Sequence, residues 1–365
     1  MSPVPARLRN YLGRLLLLTV PLALAFGLGE LVLRLSGQPV TETNDQFTIE
    51  AADWLQVEPS SELGWIFPPD TTGVYRSSGH RTPLTTNAWG LRGPAVPTDS
   101  LTRRVLVLGD SYAFGWGVPD GSGLVRLLED TLRTILPDAP LACINGALPG
   151  YSIYQQIRIL DYVRARVTIS AVVATISLAN DPIDELRIRR YAPDHLAGFS
   201  YELREPASLA ARVISASRLL TLMDQRTTNL QFSLRNTDSK CRALATESLE
   251  ELAAQCRAAN LPLVWVIVPR AHEIRPGHIW RRVLNKATDN LRSHFLTVAA
   301  ETGVPAVDLK PVLLKVQSEQ EAFLPGDAHW NEAGHRAVTQ AVLPVLLRVW
   351  HRPNDQPAST QPPGT

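Results

Sequence analysis

Cysteine is scarce in this chain: Cys143, Cys241 and Cys256 are the only three in 365 residues. No C-x-x-C pair or Cys/His cluster has the spacing of a zinc site, and no metal or cofactor is expected. Cys241 and Cys256 fall on one predicted helix, about 22 Å apart at 1.5 Å per residue, which excludes a disulfide between them. Cysteine usage therefore leaves the compartment open. Charge of one sign is lacking too: 36 Lys and Arg against 35 Asp and Glu give a net +1. No Lys/Arg block occurs, which argues against nucleic acid as a partner. A glycine-rich loop ending in Lys-Ser/Thr is missing, so a P-loop NTPase is excluded. His272-Glu273 opens a zinc-protease pattern that Pro276 breaks. What is present is apolar residue, 45% of the chain, enough for one large core.

The amino terminus carries Arg7, Arg9 and Arg14, followed by a leucine-dense, charge-free run from Leu15 to Gly29. Tyr11 to Leu35 is long enough to span a bilayer, although its uncharged part is shorter than the usual ~20 residues. Glu30 and Arg34, four apart, are placed to pair on one helix face. No Lys or Arg occurs from Leu35 to Tyr75, whereas Glu42, Asp45, Glu50, Asp53, Glu58, Glu62 and Asp70 do. The positive-inside rule then predicts a single-pass anchor with the rest of the chain outside. A cleaved signal peptide ending near Ala23-Leu24-Ala25 is the rival, and a buried core helix the blander reading. Residues 1–37 are thus assigned to a cytoplasmic tip and anchor. Residues 38–100, rich in Pro, Gly and Thr, read as a polar stalk packing on the core.

From Arg103 the pattern is strand, loop, helix, repeated. Apolar runs predict strands at Val105–Leu108, Leu141–Ile144, Ala171–Leu178, Leu263–Val268 and Val304–Val307. Helical stripes lie at Leu124–Leu136, Ser152–Arg166, Ser239–Ala259, Ile279–Ala300 and Glu332–Val349. Residues 183–238 read as a partly helical insertion near the site, and 351–365 as a disordered tail. Such alternation over residues 101–350 predicts a three-layer α/β/α domain on a five-stranded parallel sheet.

Polar motifs sit just past these strands. Gly109-Asp110-Ser111 follows the first, Asn145-Gly146-Ala147-Leu148-Pro149-Gly150 the second, and Asn180-Asp181 the third. Asp327 and His329 follow the fifth. In a parallel sheet all these ends share one rim. Ser111 there is the candidate nucleophile, His329 its base and Asp327 the group that orients the imidazole. Candidate oxyanion donors are the Ser111 N–H, the Gly146 N–H and the Asn180 amide. Asp110 reads as a loop-fixing residue, Asp181 and Asp184 as helix caps, and His335 as a structural helix residue. Arg92 reads as an ion pair rather than a substrate contact, His272 and Arg270 as surface-loop residues. Trp116 and Trp330 are left between sugar stacking and core packing.

These four blocks resemble those of the SGNH (GDSL-type) hydrolases, in order, over about Arg103 to Val349. The resemblance implies a flavodoxin-like sheet and a serine esterase acting through an acyl-serine. It departs from the family pattern at Leu178, where many members have Gly, and at Gly326, where many have the Asp. The Asp-x-His spacing at 327 and 329 resembles the branch acting on acetylated exopolysaccharides. With the amino-terminal segment, the resemblance implies a membrane-tethered bacterial member in the inner membrane, its hydrolase domain periplasmic. The expected substrate is an acylated glycan or lipid, its acyl group acetyl. An O-acetyltransferase using the same acyl-serine, or a catalytically idle glycan-binding protein, is the alternative.

Overall fold

The computed structural model describes residues 6–36, 58–77, 80–191, 217–220, 237–275 and 281–350. The predicted tail at 351–365 and most of the predicted insertion lie outside them. The chain divides into two compact units, Met1–Phe47 with Glu202–Gln231, and Thr48–Tyr201 with Phe232–Thr365.

In the smaller unit, α1 runs from Ala6 to Leu35. Among the described residues, no helix is long and apolar enough to cross a membrane. The uncharged run is short because Glu30 and Arg34 interrupt it, and these two pair as their spacing predicts, Arg34 Nε donating to Glu30 Oε1 at 2.7 Å. Glu30 also accepts from Ser217 Oγ (2.9 Å), the Arg218 N–H (3.1 Å) and the Leu219 N–H (2.9 Å). Residues 217–220, expected beside the catalytic site, are thus partners of α1. A carboxylate in the apolar part of a helix needs donors, and they supply them.

The larger unit begins with two antiparallel hairpins, β1 (Glu58–Ser60) with β2 (Gly64–Ile66), and β3 (Thr72–Ser77) with β4 (His80–Thr85). The stretch read as a polar stalk therefore contains sheet, and Leu63, Trp65, Phe67, Leu84 and Leu91 bury themselves in the main core. Trp65 meets Tyr151 edge-on at 5.1 Å, and Phe67 stacks on Phe114 at 5.5 Å. Runs this short show no readable alternation, which is why composition alone misnames them.

The main sheet is parallel and five-stranded: β5 (Arg103–Leu108), β6 (Leu141–Asn145), β7 (Ala171–Ser177), β8 (Leu263–Val268) and β9 (Ala306–Asp308), in spatial order β6-β5-β7-β8-β9. Val105 pairs with Cys143 on one side and Ala171 on the other. β7 and β8 are buried along their whole length, which is why both read as unbroken apolar runs. The helices are α2 (Ser111–Phe114), α3 (Leu124–Ile135), α4 (Ile153–Arg164), α5 (Asp181–Tyr191), α6 (Ser239–Ala258), α7 (Ala271–Ile274), α8 (Arg281–Thr302), α9 (Leu309–Glu319) and α10 (Glu332–Trp350). α10 packs with α3 and α9, and α6 packs with α4, α5 and α8. α9 carries no predicted counterpart.

The strand order reverses at β5, so the crevice beyond β5 is a topological switch point, where open α/β sheets bind ligands. The outer edge of β6 is closed by side chains of α3: Glu129 accepts from the Cys143 N–H at 2.7 Å, and Arg133 donates to Leu141 O at 3.0 Å.

Candidate active site

β5 ends at Gly109, where an added Cβ would collide with Thr175 Oγ1 on β7. Glycine lets the chain pass that strand and turn at once. Asp110 then caps α2, its carboxylate accepting from the Tyr112 N–H at 3.0 Å. Ser111 becomes the first residue of a buried helical turn, 9% exposed. His329 Nε2 lies 2.7 Å from Ser111 Oγ, and His329 Nδ1 lies 2.6 Å from Asp327 Oδ1. The three residues named from the sequence are brought into one relay.

The Asp-x-His spacing has a local cause. Asp327 Oδ1 also accepts the backbone N–H of His329 at 2.9 Å, an Asx-type turn. One oxygen thus fixes both the backbone and the ring of the base. The loop is braced from outside. Arg275 donates to Asp327 O (2.7 Å) and Leu324 O (2.8 Å), Tyr112 Oη donates to Ala328 O (3.0 Å), and the Leu324 N–H donates to His329 O (2.9 Å). Arg275 has no motif around it in the sequence.

The oxyanion donors differ from expectation at one position. The Gly146 N–H, expected to face the reacting oxygen, donates to Val107 O at 2.8 Å. Glycine stands there for packing: a Cβ would lie 2.8 Å from both Ile159 Cγ2 and Leu106 Cδ1. The rest of the loop can be accounted for donor by donor. The Ala147 N–H goes to Asn145 Oδ1 (3.2 Å), Leu148 to Gly109 O (3.3 Å) and Tyr151 to Leu148 O (3.2 Å), while Pro149 has none. The Gly150 N–H has no partner among the described residues, nor has the Ser111 N–H. The spacing of the loop does not separate its two glycines; the donor inventory leaves the Gly150 N–H open and the Gly146 N–H bonded.

Asn180 follows β7. Its Oδ1 accepts from Ser177 Oγ at 2.7 Å, and its Nδ2 donates to Asp184 Oδ2 at 2.9 Å. The same amide also acts on the carboxyl of Asp110, where burial raises the pKa and the amide lowers it. Leu178, at the position where glycine was expected, is core, its N–H continuing the sheet to Val268 O at 3.0 Å. Arg270 is 5% exposed, so it is no surface-loop residue. Its guanidinium ties Leu178 O (2.9 Å) and Ala179 O (3.0 Å), and burial lowers its pKa to about 10. It braces the Asn180 loop as Arg275 braces the His329 loop.

Carboxyl groups crowd behind the nucleophile. Burial raises Asp110, against the Tyr112 N–H and the charge of His329, which lower it. Burial, then the neighbouring Asp110, raises Asp181. Burial lifts Asp184 to about 6 and Glu185 to about 7. Asp181 accepts the Ser177 N–H at 2.8 Å and so locks the strand end. Asp184 pairs with Arg187 at 3.1 Å.

Other singled-out residues are structural. Arg92 pairs with Asp120 at 2.7 Å and donates to the carbonyls of Phe114, Gly115 and Val118. His335 accepts the Leu124 N–H at 3.2 Å, and burial lowers its pKa to about 3, so it stays neutral. Trp116 and Trp330 are 3% and 0% exposed, which rules out sugar stacking in this state. Among the described residues no group of His, Cys, Asp and Glu is placed to hold a metal ion.

A Ser-His-Asp relay at the switch point of a doubly wound parallel sheet defines a serine-hydrolase type of α/β protein. Residues 230–362 match the family described as SGNH hydrolase-like domain, acetyltransferase AlgX, a stretch that includes Asp327 and His329 but not Ser111. No curated protein matches the chain by sequence. Among solved structures it is similar to TesA, with 16% identity, a TM-score of 0.42, and coverage of 68% of this chain and 99% of that one. It is also similar to a variant of the acetyl xylan esterase Axe2 from Geobacillus stearothermophilus (16%, TM-score 0.39, 67% and 94%). A psychrotrophic esterase EstA from Pseudoalteromonas sp. gives 14% identity, a TM-score of 0.40, and 68% and 98% coverage.

Proposed function

We propose that this chain cleaves an acyl ester, with acetyl as the acyl group, through an acyl-serine. The observation that carries the reading is the single imidazole held between Ser111 Oγ (2.7 Å) and Asp327 Oδ1 (2.6 Å). In the first half-reaction Ser111 Oγ bonds to the acyl carbon and its proton passes to His329 Nε2. The imidazolium returns that proton to the departing alcohol as the ester C–O bond breaks. A second nucleophile, activated by the same nitrogen, then releases the acyl group and restores Ser111. Asp327 stays ionised and holds the ring in the tautomer that presents Nε2. The Ser111 N–H, the Gly150 N–H and the Asn180 amide are the donors offered to the tetrahedral oxygen, each worth about 3 kcal/mol in such sites.

Water as the second nucleophile makes an esterase; a sugar hydroxyl makes an O-acetyltransferase. The second reading draws on the acetyltransferase named in the family match, which spans the Asp327–His329 loop. An acylated glycan or lipid is the proposed substrate. We also propose that α1 holds the chain at a bacterial inner membrane with the hydrolase domain outside. Leu17, Leu22, Leu24, Leu28 and Leu35 on α1 are exposed, and its first turns carry Arg7, Arg9 and Arg14 while acids follow the helix.

Hydrolysis of a chromogenic acetyl ester by the full chain tests the reading, alongside Ser111→Ala and His329→Ala. Each substitution is expected to lower kcat by about 10³-fold or more. A fluorophosphonate should label wild type at Ser111 and not the Ser111→Ala variant. Turnover surviving both substitutions removes the mechanism. Acyl release that rises with added sugar acceptor, with acylated sugar as product, selects transfer over hydrolysis.

A further inference from the structure

The imidazole of His329 lies in an aromatic slot. Trp116 stacks on it, ring centroids 5.1 Å apart and planes 25° from parallel. Tyr112 stands against it at 4.9 Å and 42°. Both rings come from the turn that presents the nucleophile. Ser111 and Tyr112 open α2, and Trp116 follows its capping glycine, the Trp116 N–H donating to Ser111 O at 3.1 Å. Tyr112 is further tied by its hydroxyl to Ala328 O, next to the base. Trp116 is 3% exposed, so its indole is committed to the protein interior.

We propose that Trp116 is a positioning residue for the acyl-transfer chemistry: its π face holds the His329 ring in line and stabilises the imidazolium that forms when Ser111 gives up its proton. The inference rests on the esterase reading above. A neutral imidazole gains only stacking from an indole. An imidazolium gains in addition the attraction of a cation to the negative face of the ring, which is largest where water is excluded. The contact is therefore stronger in the transition state than in the ground state, the condition for raising kcat rather than lowering KM. Other charged or titratable groups also bear on that ring. Asp327 comes from its own loop, Asp110 and the Tyr112 phenol from the nucleophile turn, and His335 from α10. Arg270 and Arg275 act on the Tyr112 side. None of them offers the ring a π face of indole size.

The test is the full chain on the chromogenic acetyl ester across pH, with Trp116→Leu, Trp116→Phe and site-specific fluorinated tryptophans at 116. Trp116→Leu should lower kcat about ten-fold, with KM within about two-fold, the size expected of a desolvated cation–π contact. The acid limb of its profile should move to lower pH, because the protonated form loses support. Trp116→Phe should recover most of the rate. Stepwise fluorination keeps the shape of the ring and withdraws its π density, so kcat should fall with each added fluorine; this arm decides the matter if Trp116→Leu does not fold. The proposal is overturned if fluorination leaves kcat unchanged, or if Trp116→Leu alters KM alone. A wild-type chain that turns over no ester and takes no fluorophosphonate label overturns the parent reading, and this inference with it. Normal wild-type turnover with an indifferent Trp116 overturns only the inference.

Discussion

Asp327 Oδ1 does two things at once, accepting the His329 ring at 2.6 Å and the His329 N–H at 2.9 Å. An amide oxygen in that place accepts the same two groups but carries no charge to stabilise the imidazolium, and its NH₂, turned toward the ring, donates to Nδ1 and reverses the tautomer. Asp327→Asn is therefore expected to leave the fold intact and cost about 10³-fold or more in kcat by favouring the wrong imidazole tautomer. Steady-state kinetics beside a thermal melt check this. Arg275 acts one step further out, through the carbonyls of Leu324 and Asp327. Arg275→Ala should lower kcat by about ten-fold with KM unchanged, since loss of alignment at a distance slows chemistry without touching bound substrate. Gly146→Ala should lower the melting temperature through its clash with Leu106 and Ile159, while the folded fraction still labels at the wild-type rate. At this scale the sequence was readable at Ser111, just past a strand end, and at His329, which lies not at a strand end but in the loop between α9 and α10. It was not readable for Arg270, read as a surface-loop residue, because an arginine's burial depends on carbonyls from distant loops.

Elements tell a different story. The apolar strands of the main sheet, and helices α3, α4, α6, α8 and α10, lie close to where periodicity put them, since a sheet buried on both faces leaves no room for polar residues. The two hairpins at 58–85 escaped notice because their strands are three to six residues long and anchor through single aromatic residues. α5 carries a consequence for pH. Its Glu185 is fully buried with a pKa of about 7, and Asp184 sits at about 6. Both values are raised above those of an unfolded chain, so the folded state holds more protons. Stability is then fully present below the unfolded carboxylate range and declines as pH rises through 6 to 7. The Glu185 contribution is on the order of 3 kcal/mol. Melts between pH 5 and 8 should show this fall, and Glu185→Gln should flatten it. A wild-type melting temperature that climbs over the same range contradicts the assignment.

At the level of the molecule, the chain separates a leucine-rich helix and its partners from the catalytic unit. If α1 holds the protein at a membrane, the full chain should sediment with bacterial membranes, resist high salt and come off in detergent. Replacing Leu22, Leu24 and Leu28 with Asp should release it, because each exposed side chain removed from lipid forfeits its share of burial. Recovery of wild type in the soluble fraction would remove the tether.

The flank of β6 has a bearing on how such a protein behaves among its own copies. A bare outermost strand is an open invitation to another backbone, and sheets grow or fuse along that line. Here Glu129 and Arg133 already occupy the donor at Cys143 and the acceptor at Leu141. An arriving chain would find those docking points taken by the protein's own side chains. Crowding at high local density should therefore not zip neighbouring molecules together along that margin.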